Sequence, residues 1–168
     1  MITTADGDVI NTALGLAANS DLAKLRERRA KLQQFTQSSF NAAFHPQDPR
    51  NFSYAERAAF ALRMANLWNA QELAGQYKAL LEKEGSTEAL LDIAMPGYKP
   101  ADETSRLAAI LRHIDLVTLS PKEATRENIE KLYAAGLDDR DIVTLAGLIA
   151  FVNYQVLVVA GLKMLRDN

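Results

Sequence analysis

An all-α fold is predicted for this chain on three observations. Helix caps and stops recur along it, apolar residues return every three to four positions, and alternating strand patterns are scarce. The chain has 168 residues, of which 48% are hydrophobic and 24% charged, as in an ordinary globular domain. A domain of that length buries roughly 70% of the surface its unfolded chain exposes. No internal boundary or repeat is visible, so residues 1–168 are read as one domain.

The elements follow in order. Asp8 precedes Val9, Ile10, Ala13, Leu14 and Ala17 at helical spacing. Ser20-Asp21 opens a longer helix, expected to carry Leu22, Leu25, Leu32, Phe35 and Phe40. His45-Pro46-Gln47-Asp48-Pro49 breaks the helical run, because proline and the residue before it disfavour helix. Ser53-x-x-Glu56 is a capping box in which hydroxyl and carboxylate each satisfy a free amide. The helix behind it carries Ala58, Ala61, Leu62, Ala65 and Leu67, and ends or bends near Asn69. Leu73, Tyr77, Leu80 and Leu81 mark the next helix, up to Gly85, and alanines let the two close into a tight hairpin.

Ser86 to Ala94 reads as a short helix stopped by Pro96-Gly97. Asp102 or Glu103 begins another, striped by Leu107, Ile110, Leu111, Ile114 and Val117. Ser120-Pro121-x-Glu123 combines a cap, a first-turn proline and a reciprocal acid. Helix continues from Asn128 to Ala135 and stops at Gly136. Asp138, Asp139 and Asp141 then stand at the positive end of a long final helix. As dipole partners and caps they need no metal, and no metal site is expected.

Composition excludes several functions. Lysine and arginine number 19 against 21 acids, a net charge of −2, without the basic excess of a nucleic-acid binder. The run Lys24 to Lys31 spreads its charges around a helix at 100° per residue, as a solvated surface does. Cysteine is absent, which removes disulfides, thiolate catalysis and Cys-ligated metals. The first residues lack the basic and apolar regions of a secretory signal, so a cytoplasmic location is expected. Ile142 to Leu162 is 21 residues without a charge, long enough to cross a bilayer. Asn153, Gln155 and Thr144 within it, and aspartates rather than a basic cluster before it, read instead as the core helix of a globule or oligomer. No membrane span is expected.

Two histidines can serve acid–base chemistry near neutral pH. His45 sits beside a proline in a polar loop and is expected to be exposed. His113 lies at the edge of an apolar stripe, where a half-buried histidine bonded to a carbonyl or an acid is the plain reading and a catalytic residue the sharper one. No HExxH, phosphate-binding glycine loop or Gly-x-Ser-x-Gly elbow occurs. Asn153 and Gln155 project about 200° apart on a helix. They are expected to serve different surroundings, one inside the fold and the other at an interface or pocket.

The stretch from Ser53 to Trp68 (Ser-Tyr-Ala-Glu-Arg-Ala-Ala-Phe-Ala-Leu-Arg-Met-Ala-Asn-Leu-Trp) resembles the core helix of the AhpD-like alkylhydroperoxidase and carboxymuconolactone decarboxylase (CMD) superfamily. Ala135 to Val143, Ile149 to Gln155 and Ala160 to Leu162 resemble the ending of its peroxidase-related branch. The resemblance covers residues 53–165, and residues 1–50 are similar to an N-terminal helical extension found in a subset. It implies an AhpD-like helical bundle and a homo-oligomer. Peroxidase members carry a Glu, then Cys-x-x-Cys-x-x-x-His. Laid on this chain without gaps, those positions fall at Ala58, Ala70, Leu73 and Tyr77. All four differ, and peroxide reduction of this type needs a thiolate and a resolving thiol. The Asn-Arg pair near the family's end is Val156-Leu157 here, although Asn153 matches an earlier asparagine.

The resemblance therefore implies an inherited frame without its thiol site, acting as a binding or scaffolding homo-oligomer with no cofactor. The expected pocket lies where the redox site would be, lined by Trp68, Ala70, Leu73 and Tyr77, with Asn153 and His113 near it and a small apolar ligand as occupant. Two alternatives remain open. One is a cysteine-free acid–base enzyme of the carboxymuconolactone decarboxylase type, with His113 as proton carrier and Tyr77 or Asn153 orienting substrate. The other is an auxiliary antioxidant-defence protein acting beside a peroxidase-related partner.

Overall fold

The computed structural model describes residues 8–167. Every element among them is helical: α1 (Val9–Leu14), α2 (Asp21–Glu27), α3 (Ala30–Phe44), α4 (Tyr54–Leu67), α5 (Gln71–Gly85), α6 (Glu88–Ile93), α7 (Arg106–Leu119), a 3-10 turn (Pro121–Glu123), α8 (Arg126–Ala134) and α9 (Asp139–Arg166).

Capping chemistry sets most boundaries. Asp8 accepts the amides of Ile10 and Asn11 at 2.9 Å, and α1 ends on left-handed Gly15 at φ 62°. Ser53 and Glu56 make both bonds of their capping box at the start of α4. Asp138 and Asp141 do the same for α9, while Asp139 in its first turn accepts from the Tyr133 hydroxyl at 2.5 Å.

Three boundaries depart from the sequence expectation. The helix expected from Ser20 through Phe40 is two helices, broken at Arg28 and Arg29 without proline or glycine. Arg26 donates to Asp8 at 2.6 Å, which ties α2 to α1, and the chain must turn before α3 can lie along α9. Leu25, Leu32 and Phe35, placed on the buried stripe by spacing, are consequently exposed, while Phe40 is buried. Helix α7 starts at Arg106 because Ser105 caps it and Asp102 is engaged in a turn with Thr104. Ser120 makes no side-chain cap, so Pro121 opens only a 3-10 turn, and Thr125 with Asn128 caps α8.

Helix α4 lies at the centre and packs against α5, α6, α7 and α9. Its small residues Ala58, Ala59, Ala61 and Ala65 are all buried, which lets α5 approach closely across the turn at Asn69, φ 53°. The N-terminal helices share this core: Val9, Ile10, Phe40 and Phe44 join one hydrophobic cluster with residues from α4, α5, α7 and α9. Phe44 stacks 5.4 Å from Tyr77 and 6.3 Å from Phe151. At the opposite pole, Arg166 donates to the Leu14 carbonyl at 2.8 Å, and Lys163 pairs with Glu72 at 2.7 Å.

Two buried arginines brace the connections. Arg57 donates to the carbonyls of Ala43, Pro49 and Phe52 at 2.9, 2.8 and 3.1 Å, which straps the proline break onto α4. Burial, the largest influence on it, lowers its pKa from the ordinary arginine value. Arg63 forks onto Asp115 at 2.6 Å through two nitrogens and donates to the carbonyls of Ile93, Met95 and Pro96. His45 is not a free loop residue. Its Nε2 lies 2.9 Å from Glu84 Oε1, because the proline break folds back over the end of α5.

Candidate functional site

The positions matched to the thiol site are packed shut at their centre. Leu73 and Tyr77 have no exposure, nor does Ala58; Ala70 is the half-buried residue at the start of α5. The Tyr77 hydroxyl donates to Gln155 Oε1 inside the core. Burial pushes the phenol above its usual range, so it stays protonated and serves as a donor. Trp68, 40% exposed at the hairpin tip, donates its indole N–H to Asn153 Oδ1 at 2.9 Å. The two amides of α9 thus do serve different surroundings, Gln155 in the core and Asn153 near the surface, each held within the chain.

His113 is 8% exposed and its Nδ1 meets no hydrogen-bonding partner among the described residues. Burial lowers its pKa from the ordinary histidine value, favouring the neutral ring. The carbonyl or acid partner that the plain reading anticipated is not found among the described residues.

Three openings are described, and Trp68, Ala70, Leu73, Tyr77, His113 and Asn153 line none of them. The largest is a groove of about 620 Å³ between α3 and α9. Leu32 and Phe35 form its outer wall, and Gly147, Ala150 and Phe151 its floor. Inside it Thr36 and Tyr154 share a hydrogen bond at 2.8 Å, so their hydroxyls satisfy each other. A second opening of about 200 Å³ lies between α7 and the 96–103 segment, beside the Arg63–Asp115 pair. The third borders the start of α9 at Arg50, Asp139 and Arg140. No group of three or more metal-ligating side chains occurs among the described residues.

No protein-family model matches this chain, and no curated protein matches it. Among solved structures, the crystal structure of an uncharacterized peroxidase-related protein from Silicibacter sp. TM1040 has the same fold. The TM-score is 0.69 at 17% identity, over 96% of this chain and 93% of that one. The all-α frame, N-terminal helices included, is therefore one that a peroxidase-related protein also adopts.

Sequence reasoning missed the α3–α9 groove. The signal was present: Val143, Ala150 and Leu157 recur every seven residues in an uncharged run, with Gly147 among them. Attention to the thiol positions drew the expected pocket to the hairpin instead.

Proposed function

We propose that this chain is a cysteine-free member of the AhpD-like and CMD group that keeps the helical frame without peroxidase chemistry, as a binding or scaffolding homo-oligomer. The observation that carries the reading is the replacement of the thiol pair and its histidine. The chain has no cysteine, Leu73 is fully buried, and Tyr77 is locked to Gln155. An aliphatic side chain and a protonated phenol cannot attack peroxide or resolve a sulfenic acid. Function resides in sites rather than in folds, so the shared frame does not bring the reaction with it.

The acid–base alternative has less support. It needs His113 within reach of a cleft holding another polar group, and His113, Tyr77 and Asn153 stand outside the three openings. The test is hydroperoxide consumption with a dithiol reductant, followed across a range of protein concentrations. Consumption is expected to match the buffer blank. Saturable turnover proportional to protein would overturn the reading.

A further inference from the structure

Helix α9 is the most apolar element of the chain, yet only 44% of its most apolar 18-residue window is buried. Its uncovered side is a straight stripe. Val143, Ala146, Gly147, Ala150, Leu157 and Gly161 are exposed along it, with Val143 at 71% and Leu157 at 63%. Across the groove, Phe35 of α3 is 64% exposed and extends the same face. No charge lies on α9 between Asp141 and Lys163.

Two further observations say what covers this face. A glycine inside a helix weakens it relative to alanine. A Cβ built on Gly147 or Gly161 would meet nothing within 4 Å, so no packing within the chain calls for either glycine. A second helix lying close against the stripe does call for them. The area agrees: the chain exposes 9810 Å², whereas a folded monomer of its 18.5 kDa exposes about 8200 Å². That excess, about 1600 Å² on one chain, is more than the roughly 800 Å² each partner contributes to a standard interface, so the chain has the area such an interface needs.

We infer that the α9 stripe and the α3–α9 groove bind a second copy of this chain, the two α9 helices running antiparallel about a two-fold axis beside Ala150. Val143 and Leu157 stand seven residues to either side of Ala150. Antiparallel pairing about that point therefore sets Val143 against the partner's Leu157 twice, as an isologous interface requires. The seven-residue recurrence keeps the seam in register, as in a coiled coil. Phe35 and Leu32 are then covered as the second helix beds into the groove. The inference deepens the homo-oligomer of the proposed function and rests on it.

The absence of cysteine makes the test clean, because one introduced thiol reports one position. Ala150→Cys is expected to form a disulfide-linked dimer on mild oxidation, and Glu82→Cys on the outer side of α5 is not. Val143→Lys is expected to weaken self-association at least tenfold by sedimentation equilibrium, and Val143→Lys with Leu157→Glu to restore it through two reciprocal ion pairs. Helix content of each variant by circular dichroism controls for folding. An oligomer with no Ala150→Cys cross-link and no response to Val143→Lys would overturn this interface while leaving the homo-oligomer standing. A monomer at all concentrations would overturn both, with the peroxide assay unaffected. Flotation of the wild-type chain with phosphatidylcholine vesicles, lost in Val143→Lys, would assign the face to lipid instead and overturn the inference.

Discussion

Tyr77 and Gln155 meet in complete burial, a phenol from α5 donating to an amide from α9. The pair joins the hairpin to the final helix. Gln155 Nε2 already lacks a partner among the described residues, so Oε1 is the half of the amide that is satisfied. Tyr77→Phe would leave the whole amide without one. A buried polar group stripped of its partner costs about 1–3 kcal/mol, and urea unfolding is expected to show a loss in that range. Replacing both residues, as Tyr77→Phe with Gln155→Leu, is expected to recover most of it.

Arg63 uses all of its donors on one carboxylate and three carbonyls. Asp115 is 31% exposed and can be rehydrated, but buried carbonyls stripped of their donor cost about 1–3 kcal/mol. Arg63→Ala is expected to lower the free energy of unfolding in urea by an amount in that range. Arg63→Lys is expected to recover little, because an ammonium cannot reproduce the planar fork.

His113 makes stability depend on pH. Its folded pKa lies below the unfolded value of about 6.5. Above that value both states are neutral and the residue contributes no pH slope. As pH falls below it, the unfolded chain takes up the proton first and is favoured, so stability declines until the folded pKa is passed. Thermal melts between pH 8 and pH 5 should show that decline, and His113→Leu should flatten it.

Trp68 is the single tryptophan and bonds Asn153. Asn153→Ala is expected to shift its emission while changing stability by less than about 1 kcal/mol, since the indole is partly solvated and water can replace the lost acceptor. A large loss of stability with unchanged emission would contradict that placement.

Local signals read well where local chemistry decides. The Ser53–Glu56 box, the Asp138–Asp141 box and the stop at Gly136 involve neighbours a few residues apart, and each reads from the sequence. The break at Arg28 and Arg29 does not, because it depends on Arg26 reaching Asp8 and on where α3 must lie. Arg57 and Arg63 sit on the alanine-rich helix like surface residues in sequence, and their burial is explained by carbonyls elsewhere in the chain and, for Arg63, by Asp115. The candidate site was the least legible. Spacing could place Leu73 and Tyr77 on one helix, but not show that Gln155 of α9 meets Tyr77 inside the core.

The bond from Arg166 to the Leu14 carbonyl spans 152 positions of the chain. During synthesis, then, α1 is made well before α9, and this tie cannot form until Arg166 has emerged. Until then Leu14 lacks one of its fastenings, and Arg166→Ala would leave it so permanently.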